Sequence, residues 1–259
     1  MIGISWFFGF KISPEQRAKL LKDYGIECVI TNADKSFDWQ NGDIGNQIKI
    51  FKKFGLKQSS LHMRYKAEDL PQFWQQGKSG DKLVSTIIKD IKLAKKYGFT
   101  CVVVHLKGRY SNVGIQRLNK VLKVCEKYNV DIAVENLNNE KLFLKIMDTI
   151  VHPNLKFCYD SGHHNLWMKD IDILEKYGNR LVALHLHSNM GDKDAHTLPK
   201  FGNVDWDYIA KRLAKLPQVN LDYELLSKDN TELTAEQMLS ECVEHAKLLQ
   251  QKINEYRNN

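Results

Sequence analysis

Short apolar runs rich in Val, Ile and Leu recur along this chain, and longer stretches with helical periodicity separate them. Eight runs have strand length: Ile2 to Trp6, Cys28 to Thr31, Gln58 to His62, Thr100 to His105, Asp131 to Glu135, Leu155 to Tyr159, Leu181 to His187 and Val219 to Glu224. The intervening segments open with helix signals. Ser13-Pro14-Glu15-Gln16 and Thr234-Ala235-Glu236-Gln237 both read as capping boxes, and the first also has Pro at its opening helical position. They close with stop signals as well. KDYGIE, KKFGLK, KKYGFT, EKYNVD and EKYGNR, ending at positions 27, 57, 100, 131 and 180, place Gly or Asn after an aromatic residue, and both residue types tolerate the left-handed conformation that ends a helix.

Apolar strands alternating with helices imply a parallel sheet covered by helices. Eight such units favour closure into a (β/α)8 TIM barrel over an open doubly wound sheet. A chain of 259 residues suits one such barrel, and with no linker, low-complexity tract or break in composition, residues 1–259 read as a single domain.

What ends the runs is chemically distinctive. His62, His105, Glu135, Asp160, His185 and Glu224 each stand at the C-terminal end of a strand candidate, and the strand ends of a barrel open onto one face. Carboxylates such as Glu135 and Glu224 in a partly buried mouth would be costly unpaired, and a bound cation removes the cost. In YDSGHHNLW, Asp160 and His163 can aim at one centre across the turn, although Asp160 suits a helix N-cap equally well. His185 and His187 share strand parity, and the loop beyond them supplies Asp192, Asp194 and His196. All the histidines except His152 and His245 belong to strand ends or to the loops just after them.

Composition narrows the alternatives. The 38 Lys and Arg against 31 Asp and Glu give a formal charge of +7, but the lysines are dispersed over amphipathic helices, so a solvated outer ring accounts for them more simply than a nucleic-acid surface. The five cysteines are widely spaced, with no CxxC pair, and read as reduced core residues. Neither GxGxxG nor a P-loop is present, which counts against dinucleotide and NTP enzymes. No secretory signal and no membrane-length apolar stretch is evident, so a cytoplasmic protein without membrane contact is expected.

The segments IAVEN, FCYDSGHHNL, HLHSNMGDKDAH with the trailing GNVDW, and DYELL resemble the xylose isomerase-like TIM barrels, a superfamily of sugar and sugar-phosphate isomerases and epimerases that also includes the endonuclease IV group of abasic-site nucleases. The resemblance covers nearly the whole chain. It implies a divalent ion (Mn, Zn, Co or Mg) held by Glu135, Asp160, His185 and Glu224, with Glu135 and Glu224 also exchanging a carbon-bound proton through a metal-stabilised enediolate. His62, His105, His163, Asp194 and His196 match the further ligand positions that hold up to three zinc ions in the nuclease group. GISWFF and HMRYKAEDL depart from that group's patterns, whereas FGNVDW resembles the isomerase motif GxGxIDW with Lys200-Phe201 in place of Gly-Glu. The expectation is thus a metal-dependent isomerase or epimerase of a small carbohydrate, such as a sugar phosphate or related polyol. The alternatives are a multi-zinc phosphodiesterase acting on abasic DNA, a metal-dependent dehydratase of a cyclic polyol or hydroxy acid, and a degenerate barrel that only binds. For substrate contacts the candidates are His163 and His187 for hydroxyls, Lys107, Arg109 or Arg64 for an anionic group, and Trp6, Phe7 and Phe8 as a wall.

Overall fold

The computed structural model describes residues 1–33 and 43–258. Eight strands, β1 (Ile2–Ser5), β2 (Cys28–Asn32), β3 (Lys57–His62), β4 (Cys101–Val104), β5 (Asp131–Glu135), β6 (Leu155–Asp160), β7 (Leu181–His185) and β8 (Leu221–Tyr223), each pair with the next up to β7, and β1 also pairs with β8. Every pairing is parallel. The ring closes just above β7, where the Leu186 N–H donates to the Asp222 carbonyl at 2.8 Å and the Glu224 N–H donates to the Leu186 carbonyl at 3.0 Å. The architecture is the (β/α)8 barrel that the alternating elements predict. Strand ends move by a residue or two: β7 stops at His185 rather than His187, and β8 starts at Leu221 rather than Val219.

Helices α1 (Pro14–Asp23), α2 (Ile44–Phe54), α3 (Lys78–Tyr97), α4 (Asn112–Tyr128), α5 (Glu140–Thr149), α6 (Ile173–Tyr177), α7 (Trp206–Ala214) and α8 (Ala235–Asn258) cover the outside. The second capping box is reciprocal: the Gln237 N–H donates to Thr234 Oγ1 at 3.3 Å, and the Thr234 N–H donates to Gln237 Oε1 at 2.9 Å. In the first, Ser13 Oγ accepts from the Gln16 N–H at 3.4 Å, but its hydroxyl, not its backbone N–H, occupies the Gln16 side chain. Gly55, Gly98 and Asn129 end α2, α3 and α4 in the left-handed conformation, with φ of 68°, 83° and 49°. Gly178 does not follow the expectation. Its φ is −58°, and it is Gly because Leu216 packs where a Cβ would stand.

Side-chain alternation along the strands separates two shells. Ile4, Val29, Leu61, Val102, Ile132 and Leu184 lie in the large apolar cluster shared with the helices. Inside the ring, Cys101, Val103, Ala133, Cys158 and Ala183 make a small, buried apolar cluster. Beside them Asp222 is buried and accepts from Ser59 Oγ and, at 3.4 Å, from Cys28 Sγ. All five cysteines are free and buried, as their spacing suggests. Among the described residues no helix is long and apolar enough to cross a membrane.

Candidate active site

Above the inner apolar cluster the strand ends converge. Glu135 ends β5, Asp160 ends β6 and His185 ends β7, while Glu224 follows β8 by one residue. His185 is fully buried, and its Nδ1 lies 3.2 Å from Glu135 Oε2 and 3.3 Å from Glu224 Oε2. Neither ring nitrogen of His185 makes an aligned hydrogen bond among the described residues. Close but misaligned donor atoms are what a shared cation organises, since two ligands each about 2.0–2.2 Å from one ion stand roughly 3.0–3.5 Å apart. Asp160, His185 and Glu224 each bring one ligand atom into such a group. Asp160 also acts as the cap that its position suggests, its Oδ1 accepting the His163 N–H at 2.7 Å. The donor set therefore fits a divalent ion, with Glu135, Asp160, His185 and Glu224 as the residues that could hold it.

The remaining candidates extend this cluster on two sides. On one side, His62 Nδ1 donates to the Met63 carbonyl at 3.1 Å, which leaves the Nε2 lone pair facing His105 Nε2 at 3.0 Å. His105 Nε2 is also 3.0 Å from Glu135 Oε2, so three acceptor-capable atoms meet around at most one proton. On the other side, His163 Nδ1 approaches Glu135 Oε1 at 3.1 Å and its Nε2 approaches Asp194 Oδ1 at 3.3 Å. His196 donates Nδ1 to the Glu224 carbonyl at 2.7 Å, and its Nε2 lies 3.6 Å from Asp194 Oδ1. A carbonyl bond of this kind fixes the tautomer that leaves Nε2 free for a ligand.

Electrostatics follow from this crowding. Burial alone would raise the Glu135 carboxyl, but His105, His185 and His163 outweigh it and hold the group well below the usual carboxylate range. The same contest holds Asp160 down, with His163 and His187 opposing burial. Burial, reinforced by His105, pushes the His62 imidazole down to about 4.

The cluster forms one end of a cavity of about 350 Å³. Trp6, Phe7, Lys107, His62, His105, His163, Asp194 and His196 line it along with Glu135 and Glu224. His187 does not: the chain leaves β7 after His185 and turns inward, burying the ring completely against Asp160 and under His196, whose ring stacks on it at 3.9 Å. Arg64 is also displaced from the expected place, because its Nε and backbone N–H donate to buried Asp90 at 2.6 and 2.9 Å and carry it to a separate groove beside α3. Asp192 is exposed and lies off the cavity lining. His164 turns away to Tyr159 and the Ile171 carbonyl. Phe8 packs in the core.

Two wall residues are more prominent than the sequence suggests. Trp167 lines the cavity and packs its ring, tilted, against His163 with centroids 4.7 Å apart, which a spacing of four residues on a helical turn allows. Tyr65 lies over His105 at 4.5 Å. Its signal is its position three residues after His62 in HMRY.

Comparison with known proteins agrees with this architecture. The model of the xylose isomerase-like TIM barrel family matches residues 15–240. An uncharacterized protein, y4fM, of Sinorhizobium fredii is 41% identical over 97 residues, 35% of this chain and 31% of that protein. The segments that match the curated relatives span 31% and 62% of those proteins' lengths. Among solved structures, a D-tagatose 3-epimerase-like protein superposes with a TM-score of 0.78 at 18% identity, covering 98% of each chain. The IolI protein with a bound zinc atom superposes with a TM-score of 0.76 at 15% identity, covering 99% of each chain.

Proposed function

Because the chain belongs to the xylose isomerase-like TIM barrel family, we propose that it is a divalent-metal-dependent isomerase or epimerase of a sugar, sugar phosphate or related polyol. The observation that carries this reading is the pair of carboxylates, Glu135 and Glu224, meeting over one buried histidine at the end of an aromatic-walled cavity. The similarity to a D-tagatose 3-epimerase-like protein supports the same class of reaction. Glu135, Asp160, His185 and Glu224 would hold the ion. When bound, it supplies the Lewis acidity that polarises a substrate carbonyl.

This chain's own residues do the rest. One of Glu135 and Glu224 takes the carbon-bound proton onto a carboxylate oxygen, and the other returns a proton to carbon. The histidines around Glu135 keep its carboxyl ionised, the form that can hold a cation or take up a proton. Trp6, Phe7 and Trp167 wall the cavity and restrict water, which strengthens each electrostatic contact inside. The test is solvent exchange: metal-loaded protein in D2O with a panel of ketoses and sugar phosphates, followed by proton NMR. Loss of the signal of a proton α to the carbonyl, abolished in Glu135→Gln and Glu224→Gln, is the expected result. Exchange that survives both substitutions would overturn the assignment.

A second reading draws on the position of His163, which joins the Glu135 group to Asp194 and His196 so that the nine candidate ligands are contiguous. A cluster of metals there would suit phosphodiester cleavage of abasic DNA. Metal content separates the two. About one ion per chain, lost in Glu224→Gln and kept in His196→Ala, is expected for the isomerase. Two to three zinc ions that fall in both variants would favour the nuclease.

A further inference from the structure

Among the described residues the cavity wall carries one lysine, Lys107, and no arginine, together with three carboxylates, Glu135, Asp194 and Glu224. Lys107 is half-buried. Among the described residues no ion pair or hydrogen bond engages its ammonium, whereas two other cations expected near the mouth are committed elsewhere. Arg64 is held by Asp90, and Lys200 by Glu241 at 2.6 Å. Arg109, two residues on, is exposed and off the cavity lining.

The backbone that presents Lys107 is fixed on both sides. Upstream, the His105 N–H donates to Met63 Sδ at 3.1 Å, which pins the end of β4. Downstream, Gly108 has φ of 129°, and a Cβ there would stand 3.0 Å from Trp74 and 3.1 Å from Pro71, so the loop can lie this close only as glycine. The Gly108 carbonyl accepts from Asn139 Nδ2 at 2.7 Å. Tyr110 stacks on Trp74 with centroids 5.4 Å apart. A long flexible amine is thereby rooted on a rigid loop at the wall of the cavity that holds the carboxylate pair.

We infer that Lys107 recognises an anionic group on the ligand, so that the substrate is a sugar bearing a phosphate or a carboxylate away from the reacting carbons rather than a neutral sugar. This rests on the isomerase reading above and deepens it. An ammonium is a point-charge partner for phosphate or carboxylate and gains most when a ligand displaces its water in a partly enclosed site. A neutral ketose would offer the ammonium no charge to pair with and would draw little from its placement.

The experiment compares D-ribulose with D-ribulose 5-phosphate, and D-fructose with D-fructuronate, as substrates for solvent exchange by the metal-loaded wild type, Lys107→Met and Lys107→Arg. One anionic sugar is expected to exceed its neutral counterpart at least about tenfold in kcat/KM, and which of the two does so identifies phosphate or carboxylate. That ratio should fall about tenfold in Lys107→Met, mainly through KM, recover in part in Lys107→Arg, and shrink as ionic strength rises. A wild type that favours neutral sugars, or a ratio unchanged in Lys107→Met, overturns the inference while leaving the isomerase reading intact. If no sugar exchanges, the isomerase reading fails, and calorimetric titration with inorganic phosphate decides the rest. Binding weakened fivefold or more in Lys107→Met supports the anion site, and equal or absent binding overturns it.

Discussion

His187 braces Asp160: its Nε2 lies 3.0 Å from Asp160 Oδ1, and its Nδ1 donates to the Ala195 carbonyl at 3.0 Å. With both ring nitrogens facing acceptors, the pull of Asp160 outweighs the effect of burial and raises the imidazole above its ordinary range. Groups that orient a metal ligand in this way typically contribute about 10–100-fold to affinity. His187→Gln is therefore expected to weaken divalent metal binding by about that factor, measured by competition with a fluorescent chelator. Unchanged affinity would show that Asp160 needs no brace.

Tyr223 donates its hydroxyl to His245 Nδ1 at 2.6 Å, since burial holds the phenol well above its usual range and keeps the proton on oxygen. Burial, aided by Lys252, pushes His245 down to about 4 from 6.5. As pH falls, the unfolded chain protonates this histidine first, so the folded state loses stability between about 6.5 and about 4. The shift corresponds to roughly 3 kcal/mol. His245→Gln should flatten the pH dependence of urea unfolding in that window, and an unaltered slope would count against the assignment.

Gly3 faces the buried carboxyl of Asp222, whose Oδ1 occupies the space a Cβ would need. Gly3→Ala is expected to cost about 1–3 kcal/mol or more by overpacking. Shortening the neighbour with Asp222→Ser in the same chain should recover part of that loss, a coupling that a double-mutant cycle of denaturation measurements detects. Strict additivity would place the clash elsewhere.

Removing the proposed ion should loosen the barrel mouth, because Glu135, His185 and Glu224 would then lack a common partner. A ligand present at a hundred times its Kd stabilises by about 2.7 kcal/mol, which in a chain of this size moves Tm by about 5–10 °C. EDTA treatment is expected to lower Tm by that amount, with recovery on adding Mn or Zn. A melting curve indifferent to both would mean that protons alone satisfy the cluster.

The strand-end donors were legible because strand periodicity is strict: an apolar run that closes on Glu135 or His185 places that side chain at the mouth whatever surrounds it. Where the chain leaves the sheet, that logic lapses. His187 has the parity of His185, yet the strand stops first and the ring is buried. Arg64 is drawn away by Asp90, a partner 26 residues distant on α3, and such pairings leave no local trace. Gly178 matched a helix-stop motif but answers to the packing of Leu216.

The small side chains Cys101, Val103, Ala133, Cys158 and Ala183 stop the barrel from below, leaving the cavity a blind well. With no path along the packed barrel axis, whatever enters must depart on the strand-end side, so product has to clear the well before the next substrate can descend. Product and substrate then compete for the same vacancy, and turnover can go no faster than the well empties.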